Sequence, residues 1–302
     1  MEKGKFKQNF AKFHDKNYKL LLVIPLAFLI FGFAYMGIFY SQNHDFIRRD
    51  ISLTGGTSVT INDGTINSAV LKNAVSGKLE GVNTREISDL VSQKQIAVIV
   101  ETKSNEPLTR KTLEDYLGYE LNDKNSSFEF TGSTLSQNFY KQLLISILIA
   151  FALMALVVFI QFKSFVPSIA VIFSAFADIF MTLVVVNILG MQISSAGIVA
   201  FLMLIGYSVD TDILLTTKAI KRDHGSLNQR MFESFKTGIT MTLTSLIAVL
   251  VALIVVGSLS SILSQIFTIM IIGLSFDLFN TWLTNVSIIK WYVLRKTKKH
   301  EA

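Results

Sequence analysis

The chain has 302 residues and a net charge of +6, and 51% of its residues are hydrophobic while only 17% are charged. Its mean hydropathy is +0.48, whereas about 25% of the residues of a typical soluble domain are charged. This composition excludes an ordinary soluble protein, and the absence of cysteine excludes disulfide frameworks and cysteine metal sites.

Six apolar segments are each long enough, at about 20 residues, to cross a hydrocarbon core of about 30 Å. They lie at residues 20–40, 142–162, 166–189, 193–217, 239–257 and 264–292. The sequence therefore predicts a polytopic α-helical membrane protein with six transmembrane helices, called spans one to six below. The first apolar run is longer than the core of a typical signal peptide, so we expect span one to be retained.

The distribution of lysine and arginine predicts the orientation of the spans. These residues concentrate in a tail at 1–19, a loop at 218–237 and a tail at 295–302, whereas the turns at 190–192 and 258–261 carry no charge. We therefore expect a multi-pass protein of the cell membrane, embedded in the lipid bilayer, with cytoplasmic N- and C-termini. The positive net charge then follows from topology, and no nucleic-acid partner is predicted.

About 100 polar residues, 41–140, lie between span one and the helices of 141–294, and they predict one extracytoplasmic domain. Strand patterns occur near 51–61, 84–90, 95–101 and 127–131, and helical spacing occurs near 66–79 and 108–117. The resulting order, β-α-β-β-α-β, predicts an α+β domain of the ferredoxin-like type.

The first predicted strand contains Thr54-Gly55-Gly56-Thr57, which invites comparison with a phosphate-binding loop. The G-x-x-x-x-G-K-[ST] pattern is absent, so we expect the two glycines to mark a bulge or a close approach of two backbone segments. The four histidines lie outside the spans and far apart in sequence. No metal site is therefore predicted.

Span four contains two carboxylates, Asp210 and Asp212, between apolar runs. A carboxylate near the centre of a membrane helix costs about 2.5–3.5 kcal/mol on insertion scales, which favours a functional role. Residues two apart on a helix point about 200° away from each other. One acid is therefore expected to face spans three and six, and the other a different subunit or a water-filled crevice.

Spans three and six carry one acid each, at about mid-depth. Asp178 shares a helical face with Ser174 and Thr182, and Asp277 begins a polar stripe along span six. Polar stripes on neighbouring helices favour contact with one another over contact with lipid. The supporting polar residues expected at this cluster are Tyr207, Ser208, Thr211, Thr240, Thr244, Ser245 and Asn280, with Thr281 and Thr284 on the span-six stripe.

No lysine, arginine or histidine lies at the depth of these acids. The nearest basic residues are Lys218, Lys236 and Lys290, at the predicted cytoplasmic rim. Buried acids without basic partners cannot form neutral ion pairs, and desolvation favours their protonated form. We predict that Asp178, Asp210, Asp212 and Asp277 form an ion relay driven by an H⁺ gradient, with no cofactor. Coordination of Na⁺ and a purely structural role of protonated acids are the alternatives.

Three segments together resemble the SecF family, in its archaeal branch. They are Gly206-Tyr207-Ser208-Val209-Asp210-Thr211-Asp212, the segment 237–245 of span five, and Thr54-Gly55-Gly56-Thr57. The resemblance extends over essentially the whole chain, with six spans and one outer domain. It implies half of an RND-like bundle that requires SecD as a partner, cooperates with the SecY-containing translocon, and acts on a translocating unfolded polypeptide rather than as an enzyme.

One departure from the bacterial motif concerns the position of the acid. The bacterial family has Asn-Asp-Thr where this chain has Asp210-Thr211-Asp212, so the resemblance implies a relay role for Asp210 and Asp212 jointly. Thr240 stands where the bacterial family often has an arginine. Two other classes of function stay open, namely an RND-type exporter of lipids or small molecules and a non-transporting assembly factor of the translocon.

Overall fold

The computed structural model describes residues 2–89, 92, 94–221, 226–257 and 260–301, without the side chains of 2–17, 221, 261 and 297–301. Its helices are α1 Glu2–Asn43, α2 Ile51–Thr54, α3 Ser68–Val75, α4 Glu106–Leu117, α5 Ser133–Phe162, α6 Phe165–Ile188, α7 Ser195–Lys221, α8 Leu227–Val256, α9 Ser261–Asn280 and α10 Val286–Glu301, with a π-helical turn at Thr281–Asn285. Its strands are β1 Gly56–Ile61, β2 Asn83–Ser88, β3 Gln95–Thr102 and β4 Ser126–Thr131.

The six predicted spans are confirmed as six helical segments that are long and apolar enough to cross a membrane. They are Tyr18–Asn43, Ser133–Phe162, Phe165–Ile188, Ser195–Ile220, Leu227–Val256 and Ile262–Lys296. The first and last segments extend beyond the predicted apolar runs at both ends, because polar turns continue them. In particular, α1 begins within the predicted basic tail, whose charged side chains up to Lys16 lie outside the described part, as do Arg222 and the last lysines.

The last span occupies the middle of the bundle. Its helix α9 packs against α6, α7 and α8, and α1 packs against α6 and the last span. Gly273 allows the close approach of α9 to α7, because a Cβ atom there would lie 2.3 Å from Leu204 Cδ1. By contrast, only 11% of the most apolar stretch of α5 and 6% of that of α8 is buried, so both helices present apolar side chains outward.

The segment between α1 and α5 folds into the predicted α+β domain. Its four strands form one antiparallel sheet in the order β2-β3-β1-β4, with Val59 paired to Val100 and to Phe128. The elements follow in the order β-α-β-β-α-β, which is compatible with a ferredoxin-like arrangement. Leu71 of α3 and Leu113 of α4 are fully buried in the core between these helices and the sheet.

The first strand begins later than predicted, at Gly56 rather than at residue 51. The residues before it form the short helix α2, whose first turn is capped by Asp50, because its side chain accepts a hydrogen bond from Ser52 N. Gly55 ends this helix with a φ of 82°. The last predicted residue of the second strand, Leu90, lies outside the described residues.

Main-chain contacts fix the α+β domain to the turn between α6 and α7. Asp50 N donates to Ile193 O at 3.1 Å, and Ile193 N donates to Arg48 O at 2.6 Å. Ser195 N, at the start of α7, donates to Ser52 Oγ at 3.1 Å. The chain that leads into the domain is therefore attached to the first residues of the helix that carries Asp212.

A side-chain ion cluster lies beside this attachment. Arg85 Nη2 of β2 lies 3.1 Å from Asp50 Oδ2 and 3.1 Å from Glu101 Oε2. Both acids are buried. Burial and, after it, the charge of Asp50 raise the pKa of Glu101 above its ordinary value, while Arg85 lowers it.

Candidate functional site

Three of the four predicted acids meet inside the helical bundle. Asp178 of α6, Asp212 of α7 and Asp277 of α9 have 2%, 0% and 1% of their surface exposed. The polar stripes predicted on spans three and six thus face each other and one acid of span four. Contact between polar helix faces is the expected alternative to their exposure to lipid.

Asp178 accepts hydrogen bonds from two neighbouring helices. Ser208 Oγ of α7 donates to Asp178 Oδ2 at 2.5 Å, and Asn280 Nδ2 of α9 donates to Asp178 Oδ1 at 2.7 Å. Thr284 Oγ1 in turn donates to Asn280 Oδ1 at 3.3 Å. Ser208 and Asn280, both predicted as supporting residues, therefore hold this carboxylate directly.

Asp212 is held by the last span through one of its two oxygens. Asn285 Nδ2 donates to Asp212 Oδ1 at 2.7 Å, and Thr281 Oγ1 lies 2.9 Å from the same oxygen. Asp212 Oδ2 is buried and has no donor at good hydrogen-bond geometry in the described part of the chain, where the neighbouring Ser174 hydroxyl of α6 is likewise without a partner at such geometry. The two oxygens of Asp212 thus have different surroundings, and only Oδ2 is left without a donor.

Thr281 connects Asp212 to the third acid. Its Oγ1 also lies 3.2 Å from Asp277 Oδ1, and Thr242 Oγ1 of α8 donates to Asp277 Oδ2 at 3.4 Å. A threonine hydroxyl has only one hydrogen. Thr281 can donate to only one of the two acids. It forms hydrogen bonds with both at the same time only when the other carboxyl group is protonated and donates to Thr281.

The π-helical turn Thr281–Asn285 positions the donors to Asp212. Val286 N donates to Thr281 O, the i to i−5 bond that inserts one extra residue into the helical path. Thr281 and Asn285 lie at the two ends of this turn, and both contact the same oxygen of Asp212. Such π-turns within α-helices are frequent at functional sites.

The described basic residues lie outside the cluster. Among the side chains that the structure describes, no lysine, arginine or histidine forms an ion pair with Asp178, Asp212 or Asp277. Lys290 is buried, but its Nζ donates to Asn228 Oδ1 at 3.1 Å near the start of α8. The described residues also include no group of histidine and acidic side chains arranged to hold a metal ion.

The two acids of span four are separated as their spacing predicts. Asp212 points into the bundle, whereas Asp210 is exposed on the outer surface of α7, with Tyr207 44% exposed and Gly206 open beside it. The relay role predicted for Asp210 jointly with Asp212 stays a prediction, and Asp210 does not lie in the buried cluster. The 200° between them places only Asp212 with Asp178 and Asp277.

Span five contributes a different threonine from those predicted. Thr240 and Thr244 are exposed, and each hydroxyl donates to the carbonyl four residues earlier in its own helix. Thr242 is the residue that reaches Asp277. Gly238 packs beneath Trp282 of the last span. Thr242 lies four residues later on the same face of α8, so this close contact also turns Thr242 toward α9.

The remaining predicted residues lie beside the site or far from it. Thr211 is buried and packs near Gly238, while Ser245 is half-buried on α8. Thr54 and Thr57 lie in the α+β domain, where Thr57 Oγ1 donates to Ser104 O at 2.8 Å. The motif that contains Gly55 and Gly56 therefore serves the domain and does not contact the buried acids.

Sequence reasoning missed Asn285 and Thr242 as partners of the acids. Asn285 is four residues after Thr281, so an extension of the span-six stripe by one helical turn would have found it. Thr242 lies four residues after Gly238, a small residue where α8 packs closely against the last span. Gln265 was also missed, and its Oε1 accepts a hydrogen bond from Ser194 N at 3.0 Å at the start of α7.

Comparison with known proteins identifies relatives over most of the chain. The family described as "Protein export membrane protein SecD/SecF, C-terminal" matches residues 113–295. The chain is 37% identical over 283 residues to protein-export membrane protein SecF of Methanocaldococcus jannaschii, with 92% of this chain and 96% of that protein covered. It is 31% identical over 283 residues to SecF of Pyrococcus furiosus, with 93% of each covered.

A solved structure shares the fold. The chain is similar to SecDF, a translocon-associated membrane protein from Thermus thermophilus, with a TM-score of 0.71 and 17% sequence identity. The match covers 91% of this chain and 38% of that longer chain. Our chain thus corresponds in fold to less than half of a SecDF molecule.

Proposed function

Because this chain belongs to the SecF family of protein-export membrane proteins, we propose that it acts with SecD and the SecY channel in the late steps of polypeptide translocation. In this proposal the proton gradient drives the work through Asp178, Asp212 and Asp277. The α+β domain lies on the extracytoplasmic side, where it meets the emerging polypeptide. The basic ends of the helices lie in the cytoplasm, as the distribution of lysine and arginine favours.

The shared hydroxyl of Thr281 is the observation that carries the proton assignment. It lies within hydrogen-bond distance of two carboxyl groups, Asp212 and Asp277. Protonation of either acid supplies the second hydrogen bond, so a proton can move between them with a change of donor at Thr281. A relay needs such a path of exchangeable donors, and these acids have no basic partner among the described side chains to hold them permanently charged.

Asp210 supports the proposed partnership with SecD. The outer face of α7 exposes Met203, Tyr207 and Asp210, and an ionisable residue facing lipid at mid-depth is costly. A partner helix with hydrogen-bond donors at this depth removes the cost. The SecDF structure, of which this chain matches 38%, favours a second, SecD-like bundle as that partner.

Secretion and proton flux measured on the same variants test the relay. Asp178→Asn, Asp212→Asn and Asp277→Asn keep the side-chain shape but cannot carry a proton. We expect each to lower secretion in cells and proton flux in vesicles that contain the chain with SecD. Asp115→Asn, at an exposed position of α4, is the matched control and should behave as the unmodified chain.

The measurements also separate this proposal from other roles. If all three Asn variants secreted protein and conducted protons as the unmodified chain does, the acids would have only a structural role in assembly. If the measured flux followed the Na⁺ gradient rather than the H⁺ gradient, the coupling ion would be Na⁺ and the proposed site would stay the same. Purification of the chain without SecD, in an active state, would contradict the partnership.

A further inference from the structure

A cleft of about 620 Å³ separates the α+β domain from the ends of the membrane helices. One wall is formed by the segment after α1, by α3 and by β2, which contribute Arg48, Lys72 and Arg85. The floor is formed by the turn between α6 and α7, by the end of α8 and by the first turns of α9, and includes Leu189 and Thr268. The cleft therefore lies where the bundle ends and the polar domain begins.

Two cations on the cleft wall have no ion-pair partner among the described side chains. Arg48 and Lys72 are exposed, and neither forms an ion pair within the part of the chain that the structure describes. The Arg48 guanidinium lies 5.7 Å from the centre of the Phe39 ring, which holds it near the end of α1. Arg85 differs from both, because Asp50 and Glu101 already neutralise it.

The other polar groups of the cleft can bind a headgroup but do not neutralise the two cations. Glu86 is the acidic residue on the wall, and it accepts a hydrogen bond from Ser68 Oγ at 2.5 Å. Asn83, Ser264 and Thr268 add amide and hydroxyl groups to the lining. The cleft lining includes three cations, Arg48, Lys72 and Arg85, and one acid, Glu86, whereas Asp50 and Glu101 lie outside the lining, so the cleft attracts anions.

Apolar residues at the edge of the floor indicate the source of the anion. Ile188 and Leu189, at the end of α6, are 51% and 59% exposed, and they mark the boundary of the hydrocarbon region on this side. Basic side chains just beyond such a boundary lie at the level of lipid phosphates. A free phosphate would use the cations but not the exposed apolar residues next to them.

We propose that this cleft binds an anionic membrane lipid from the leaflet next to the α+β domain. Arg48 and Lys72 bind its phosphate, and Ile188 and Leu189 contact the first part of its hydrocarbon chain. The lipid then bridges the domain and the turn between α6 and α7. This site is separate from the buried acids, and the inference does not depend on the proposed role in export.

Native mass spectrometry of the full chain in detergent tests the proposal, with phosphatidylglycerol as the anionic probe and phosphatidylcholine as the zwitterionic one. Each basic residue near an anionic surface strengthens binding by roughly fivefold. The double variant Arg48→Gln/Lys72→Gln should therefore bind phosphatidylglycerol about 25-fold more weakly. Lys72→Gln alone should bind it about fivefold more weakly.

The matched control is Lys111→Gln/Lys124→Gln, which removes the same charge from exposed positions of the same domain outside the cleft lining. It should bind phosphatidylglycerol as the unmodified chain does. Equal affinity in the Arg48/Lys72 variant and in this control would overturn the site. Binding of inorganic phosphate through the same residues, without retention of phosphatidylglycerol, would overturn the lipid assignment.

Discussion

Asn285 donates a 2.7 Å hydrogen bond to the carboxylate of Asp212 from the last residue of a π-helical turn. With Thr281 on the same oxygen, Asp212 Oδ1 is fully engaged while Oδ2 has no donor among the described residues. In the exchange across Thr281, a proton on Asp212 therefore lies on Oδ1, from which it is donated to Thr281 while Thr281 donates to Asp277. The last span thus orients Asp212 toward the hydroxyl that it shares with Asp277.

Asn285→Ala removes this donor and leaves a buried carboxyl group with one fewer partner. We expect the free energy of unfolding to fall by about 1–3 kcal/mol and proton flux to decrease with it. The comparison variant is Ser275→Ala on α9, where an exposed hydroxyl donates only to Ile271 O. Denaturant unfolding in detergent measures the free energy of unfolding of both variants. Equal stability of the two variants would show that Asn285 does not support Asp212.

Deletion of Leu283 separates the π-turn from the stability of the span. One residue fewer lets the segment 281–285 return to α-helical hydrogen bonding, while α9 and α10 keep their faces toward the bundle. We expect thermal stability to be retained but proton flux and secretion to be lost, because Thr281 and Asn285 no longer reach Asp212 together. A deletion variant with normal flux would make the π-turn irrelevant to function.

Much of this fold is predictable from the sequence because its strongest signals are patterns of apolar and polar residues along the chain. Runs of apolar residues locate the six spans, and the polar stripes that contain Asp178 and Asp277 indicate which faces of spans three and six meet. The rotation of α8 and the π-turn depend instead on packing and on backbone hydrogen bonds, which have no periodic signature. Thr240 was therefore predicted to support the cluster, whereas Thr242 is the threonine that contacts Asp277. For the same reason, the spacing separates Asp210 from Asp212, but only the structure shows that Asp212 is the acid that faces inward.

Replacement of each span-four acid by leucine distinguishes an outward from an inward carboxylate. Asp210→Leu should leave the isolated chain as stable as before or more stable, because a charge no longer faces lipid, while co-purification with SecD weakens. Asp212→Leu should lower the free energy of unfolding by more than about 2 kcal/mol, because Thr281 and Asn285 lose their acceptor. Thermal denaturation and pull-down of SecD measure the two effects. Similar stability losses in both variants would contradict the orientation of α7.

The pH dependence of stability reports on Glu101. Because burial and Asp50 raise its pKa above 4.5, the folded domain binds this proton more tightly than the unfolded chain does. The free energy of unfolding should therefore fall as the pH rises from 4.5 through the raised pKa, and stay lower above it. Glu101→Gln cannot titrate, and its amide oxygen can still accept from Asn83, so its stability should decline less over this window.

Thermal denaturation of the detergent-solubilised chain at a series of pH values makes this comparison. Every other titratable group is present in both proteins, so the difference between the two curves isolates residue 101. Glu129→Gln, at an exposed position of β4, serves as the control and should follow the unmodified chain. Identical pH dependence in Glu101→Gln and the unmodified chain would contradict the raised pKa.

Gly56→Ala tests whether the Thr54–Thr57 motif has a packing role rather than a ligand-binding one. Gly56 has a φ of 145°, and a Cβ atom there would lie 2.2 Å from Thr102 O, which belongs to the neighbouring strand β3. Backbone strain alone costs about 1–3 kcal/mol, and the strands must also separate locally. We expect a loss of at least about 3 kcal/mol in unfolding free energy. Gly77→Ala is the control, because a Cβ atom at Gly77 meets nothing within 4 Å. If Gly56→Ala were as stable as Gly77→Ala but failed in secretion, the motif would have a binding role instead, since a packing role acts on stability first.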